Sequence, residues 1–175
     1  RTKNEITEIE RAISMIGLET VSAIFTTFIV KDMVSFNPVH YQLFGKMIWQ
    51  HLLETAVVSQ KLARSFKADN AFLCYLMGLV HDLGKVIIFR AKSNQWQRQI
   101  QLNHIGSTAF KRVLTQKSHD LARYVVEDWQ LNDELITGVS RYHTDNPVDP
   151  YSQVLKTANR ISELHLSVEV NMITI

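Results

Sequence analysis

Residues Tyr75–Phe89 form one long apolar run, interrupted at its centre by His81-Asp82-Leu83-Gly84-Lys85. No other stretch limits so tightly what the chain can fold into. An imidazole and a carboxylate side by side in such a run cost free energy unless each finds a partner. A metal ion satisfies both at once, and so does a hydrogen-bonded polar plug; the pair alone does not choose between them. Adjacent helical positions lie about 100° apart, so an ion held by both would sit in the angle between the two side chains.

The remaining segments read with a helical period. A first helix over 4–16 places Ile6, Ile9, Ile13 and Ile16 on one face, with Gly17 at its C-terminal cap. A second, over 18–35, carries Leu18, Val21, Phe25, Phe28 and Ile29 and stops before Asn37-Pro38. A third, over 39–67, turns Phe44, Ile48, Leu52, Thr55, Ser59 and Leu62 inward, with His51 on the border of that stripe. The fourth begins at Asp69 as N-cap and runs to Phe89. Within it Gly78, one turn before Asp82, admits close approach of another backbone.

Helices over 93–103 and 107–116 follow, and then one over 119–130 capped by Ser118. His119 at that N-terminus is disfavoured as a cation, hence neutral and fit to bind a metal; a helix-start histidine in solvent is the plainer reading. Asn132 caps a helix that ends at His143, where an imidazole can simply complement the dipole. Asp149-Pro150 opens the last helix, over 150–166, with Val154, Leu155, Ala158, Ile161 and Leu164 inward and Asn159 beside them.

Composition bounds the class. With 175 residues, 46% apolar, and 19 basic against 17 acidic side chains, the chain reads as one folded domain. Its basic side chains concentrate at Arg90, Lys92, Arg98, Lys111, Arg112 and Lys117, which reads as a solvated face. A net charge of +2 is too small an excess to favour nucleic acid. The one cysteine, Cys74, excludes an intramolecular disulfide framework and fits a reducing cytoplasm. Asp69, His81 and Arg90 interrupt the longest apolar run, so no membrane span is expected, and no signal peptide is seen. A start at Arg1 and an apolar C-terminus read as a piece of a longer chain. Gly-rich phosphate loops, nucleophile elbows and cysteine pairs are absent.

Taken in order, Trp49-Gln50-His51, Leu79 to Lys85, His119-Asp120-Leu121-Ala122 leading to Asp128-Trp129-Gln130-Leu131, and Tyr142-His143 resemble the HD superfamily of metal-dependent phosphohydrolases. More narrowly they are similar to its HDOD subgroup, the HD-related output domains of bacterial signalling proteins. The resemblance implies an all-α, single-domain HD/HDOD-like helical bundle. Residues 1–38 would be N-terminal helices, a remnant of or lead-in to an HDOD N-terminal lobe, 39–166 the core, and 167–175 a tail.

It further implies a metal centre built from His51, His81, Asp82, His119, His143 and Asn159, taking Fe, Mn, Zn, Ni or Mg. In catalytic relatives the last ligand is an aspartate, where this chain has Asn159, and a second histidine often follows the position of His143, where it has Thr144. The asparagine removes one anionic ligand, and Glu163 or Glu54, each one turn along, is a candidate to replace the charge. The favoured function is a non-catalytic or vestigial output module acting through contacts with signalling proteins, with a homodimer allowed. The alternative is a phosphohydrolase acting on a nucleotide or other phosphate ester, in which Asp82 would orient water and Lys85 would face the phosphate.

Overall fold

The computed structural model of the chain describes residues 9–36, 42–96 and 108–173. They form eight α-helices: α1 (Ile9–Ile16), α2 (Leu18–Met33), α3 (Gln42–Leu62), α4 (Ala71–Val80), α5 (Leu83–Trp96), α6 (Thr108–Asp128), α7 (Asp133–Arg141) and α8 (Pro150–Ile173). A 3-10 turn, Ala63–Phe66, follows α3. No strand occurs among the described residues, and the expected all-α architecture is observed.

The apolar run is the axis of the bundle. In α4, Leu73, Cys74, Met77, Gly78, Leu79 and Val80 are buried, a pattern that surrounds the helix and demands neighbours on every side. Helix α3 packs along it, with α7 and α8 against other faces. At the closest crossing, a Cβ on Gly78 would lie 2.5 Å from the Ala56 backbone, so glycine alone lets α3 come this near. Burial on α4 pushes the Cys74 thiol up to about 11, which keeps it protonated and inert. The core continues into α5, where Phe89 stacks on Phe44 with ring centroids 3.6 Å apart and meets Phe36 edge-on at 5.1 Å.

Several boundaries differ from the sequence expectation. The helix expected over 69–89 is capped by Asn70, not Asp69: the Asn70 side chain accepts from Leu73 N at 2.9 Å. It also breaks at His81-Asp82, where α4 ends and α5 starts. Helix α5 continues through 90–96 without the expected break, and residues 97–107 lie outside the described residues. The two helices expected over 107–116 and 119–130 are one, α6, so Ser118 is not a cap. The close approach there constrains Gly84 instead: the Ser118 backbone carbonyl lies where a Cβ on Gly84 would be, and α5 and α6 cross at that point. The expected tail at 167–175 is helical through Ile173, as part of α8.

The N-terminal helices depart furthest. They meet at Gly17, whose φ of 91° suits glycine, and the chain bends by 104° there. Helix α1 has no buried residue, and in α2 only Val30 is buried. Leu18, Phe25, Phe28 and Ile29 are exposed, as are Ile161 and Leu164 of α8, which the helical period had turned inward. The stretch Ala71–Ala91 is also long and apolar enough to cross a membrane, contrary to the sequence expectation; 72% of that window is buried, as in a core helix.

Candidate metal centre

Where α4 gives way to α5, the chain turns His81 and Asp82 into the bundle with exposures of 0% and 1%. Helix α3 brings His51 to them, and α8 brings Asn159. Four atoms converge. Asn159 Oδ1 lies 3.1 Å from His51 Nε2 and 3.0 Å from His81 Nε2. Asp82 Oδ2 lies 3.5 and 3.6 Å from the same two nitrogens. His51, His81 and Asp82 are a group geometrically able to hold a metal ion.

The protons around these atoms decide what the arrangement can do. His81 Nδ1 lies 2.8 Å from the Gly78 carbonyl oxygen, which can only accept, so Nδ1 carries the proton. Burial drives the His81 pKa down to about 4, so near neutral pH the ring carries that single proton. Its Nε2 then presents a bare lone pair to Asn159 Oδ1 and Asp82 Oδ2. The Asn159 amide is oriented from outside, where Nδ2 donates to Glu163 Oε1 at 3.0 Å and leaves Oδ1 facing inward.

On the far side of His51, Ser162 Oγ lies 3.0 Å from Nδ1 and 3.2 Å from Glu54 Oε2. The hydroxyl has one proton, and the carboxylate is its stronger acceptor. Ser162 Oγ is then free to accept from His51 Nδ1–H, and in that tautomer His51 Nε2 would be bare as well. Burial alone raises the Glu54 carboxyl, but hydrogen bonds from Gln50, His165 and Ser162 bring it below its ordinary value and keep it anionic. Burial likewise pushes the Asp82 carboxyl up. The facing His81 and His51 rings, when they carry a proton on that side, and the Lys85 ammonium outweigh this and hold it well below the usual carboxylate range.

In that tautomer lone pairs from two nitrogens and two oxygens face one another, an arrangement that a cation would satisfy. A first-row ion bound at about 2.0–2.1 Å holds neighbouring nitrogen and oxygen ligands roughly 3.0–3.5 Å apart. The observed separations of 3.0–3.6 Å fit. Each imidazole also donates its other N–H outward, the support that ligating histidines need.

His119 and His143 lie apart from this group. Tyr142 stands between: its hydroxyl is 3.5 Å from Asp82 Oδ1 and 3.4 Å from His119 Nδ1. Burial and the nearby carboxylate raise the Tyr142 pKa, so the hydroxyl keeps its proton. His119 and His143 stack with centroids 4.2 Å apart. His119 sits mid-way along α6, so no helix dipole bears on it; burial, then the adjacent His143, lowers its pKa. The pair borders a cavity of about 360 Å³ that is also lined by Lys85, Lys156, Arg160 and Glu163.

Neither carboxylate offered as a substitute for the missing aspartate enters the centre: Glu163 holds Asn159, and Glu54 holds Ser162 and His165. Ser162 and Tyr142 were not singled out as site residues in the sequence. Only the spacing of Ser162 from Asn159, three positions along one helix face, could have flagged it. Of the basic side chains at 90–117, Arg90, Arg112 and Lys117 are exposed, while Arg98 lies outside the described residues.

The sequence matches the HDOD domain family over residues 1–145. An all-helical bundle with this match is of the HD-related class, and the chain belongs to the HDOD family. No curated protein and no solved structure matches it. Helix α8, with Asn159 and Ser162, lies beyond the matched residues.

Proposed function

We propose that this chain is an HDOD output module of bacterial signal transduction that acts through protein contacts and keeps a metal-holding but non-hydrolytic centre. The observation that carries the reading is the inward-facing donor set, which has one carboxylate and an amide where a second carboxylate would give a hydrolytic ion its charge. His51, His81, Asp82 and Asn159 would hold a divalent ion; imidazole suits Fe, Ni and Zn, and the carboxylate and amide admit Mn. Such an ion supplies acidified water in a hydrolase. Here Asp82 has little left to offer that chemistry, since Oδ2 is engaged by Lys85 and Oδ1 by Tyr142. Contact with other proteins is supported by the exposed apolar side chains of α1 and α2, which exceed what scattered surface residues require.

The test is a panel of phosphomonoesters, phosphodiesters and nucleotides with added Mn, Fe or Ni. Turnover at the level of the buffer is expected. Metal-dependent turnover that disappears in Asp82→Ala overturns the reading.

One feature favours a second reading, that of a phosphohydrolase acting on a nucleotide or other phosphate ester. The cavity beside the centre carries Lys85, Lys156 and Arg160 against one acid, Glu163, and its positive excess suits a phosphate. In that reading Lys85 would leave Asp82 to meet the phosphate, and His119 and His143 would bind or orient it. The same panel separates the two.

A further inference from the structure

We infer that Lys85 is a built-in cation that competes with the metal for Asp82 and so sets the affinity of the centre. The inference rests on the metal-holding reading and concerns how that site is regulated from within. Lys85 Nζ lies 2.5 Å from Asp82 Oδ2, the same oxygen that faces His51 Nε2 at 3.5 Å and His81 Nε2 at 3.6 Å. An ion ligated by Oδ2 and both imidazoles must take up the side of the carboxylate that the ammonium now neutralises. Two cations this close in a buried pocket repel strongly, and an ammonium has no lone pair with which to join the coordination.

The fold lets the side chain yield while the backbone stays. Leu83, Gly84 and Val86 around Lys85 are buried, and Gly84 is locked against Ser118 of α6. The Lys85 side chain itself is 33% exposed and borders the open cavity. Glu163 lines the same cavity and gives a withdrawn ammonium another carboxylate to approach. Without a metal, Lys85 answers the charge of Asp82; with one, it moves outward, and the ion must overcome that exchange to bind.

The test is calorimetric titration of the purified chain with Ni²⁺, alongside thermal melting with and without the ion. Lys85→Met is expected to bind Ni²⁺ about five- to tenfold more tightly than wild type, the effect of removing one competing charge at a partly exposed pair. Lys85→Arg keeps a cation and stays within about twofold of wild type. Lys85→Met also melts lower than wild type in chelator and gains more on saturation with Ni²⁺, which a merely structural lysine would not produce. Lys85→Gln serves the same purpose if the methionine variant does not fold.

Ni²⁺ bound by wild type and lost in His81→Ala, with no tightening in either neutral variant, overturns the inference and leaves the metal reading intact. Failure of wild type and of both neutral variants to bind Ni²⁺ overturns the metal reading and the inference with it.

Discussion

His81 is the residue on which the chemistry turns, and its protonation couples the centre to stability. An unfolded histidine titrates near 6.5, whereas His81 in the fold titrates at about 4. Between those values the unfolded chain binds the extra proton, so stability is complete above about pH 6.5 and falls as pH drops toward 4. The full shift corresponds to roughly 3 kcal/mol, and His119 contributes in the same direction. Asp82, depressed in the fold, adds a second loss below its ordinary value of 3.8. Urea midpoints at pH 7.5 and pH 5 check this; an unchanged or higher midpoint at pH 5 contradicts a buried neutral His81. Ser162→Ala frees the outer nitrogen of His51, and its metal affinity should fall about tenfold in calorimetry. The His-Asp doublet was a candidate from the sequence, and His51 and Asn159 from the family resemblance; the fold brings these side chains together. Tyr142 and Ser162 were not candidates, because a tyrosine or serine on a buried face reads as packing until its neighbours are known.

At the scale of elements, close helix crossings explain where sequence reading succeeded and where it failed. Gly78 was correctly read as a point of backbone approach. Gly78→Ala must push α3 and α4 apart and should cost about 1–3 kcal/mol by urea unfolding; a cost near zero would show that the crossing is looser than described. Ser118 was misread as a cap because serine favours helix starts, whereas it lies inside α6 with its backbone carbonyl against Gly84. The exposure of the α1 and α2 faces was not legible, because a helical period shows that a face is apolar but not what covers it. Phe25 and Phe28, each 64% exposed, should tolerate serine within about 0.5 kcal/mol. Phe89→Ala, at 1% exposure, should lose about 3–5 kcal/mol. Comparable losses at all three positions would mean that the α2 face is covered in solution.

For the whole molecule, the fold acts as a device for convergence. Helices α3 and α8 carry His51 and Asn159, 108 positions apart, to the break between α4 and α5, and only a closed bundle brings those four lone pairs together. The all-helical class followed from period and patterning. Its long range did not, since nothing local in α8 says that Asn159, rather than Ile161 or Leu164, faces the axis. The most direct measurement is the metal content of protein purified without metal-affinity resin and dialysed against trace Mn, Fe, Ni and Zn, beside His81→Ala. About one ion per chain in wild type and almost none in the variant is the predicted result. Equal content in the two, or none in either, would contradict a cation-holding centre.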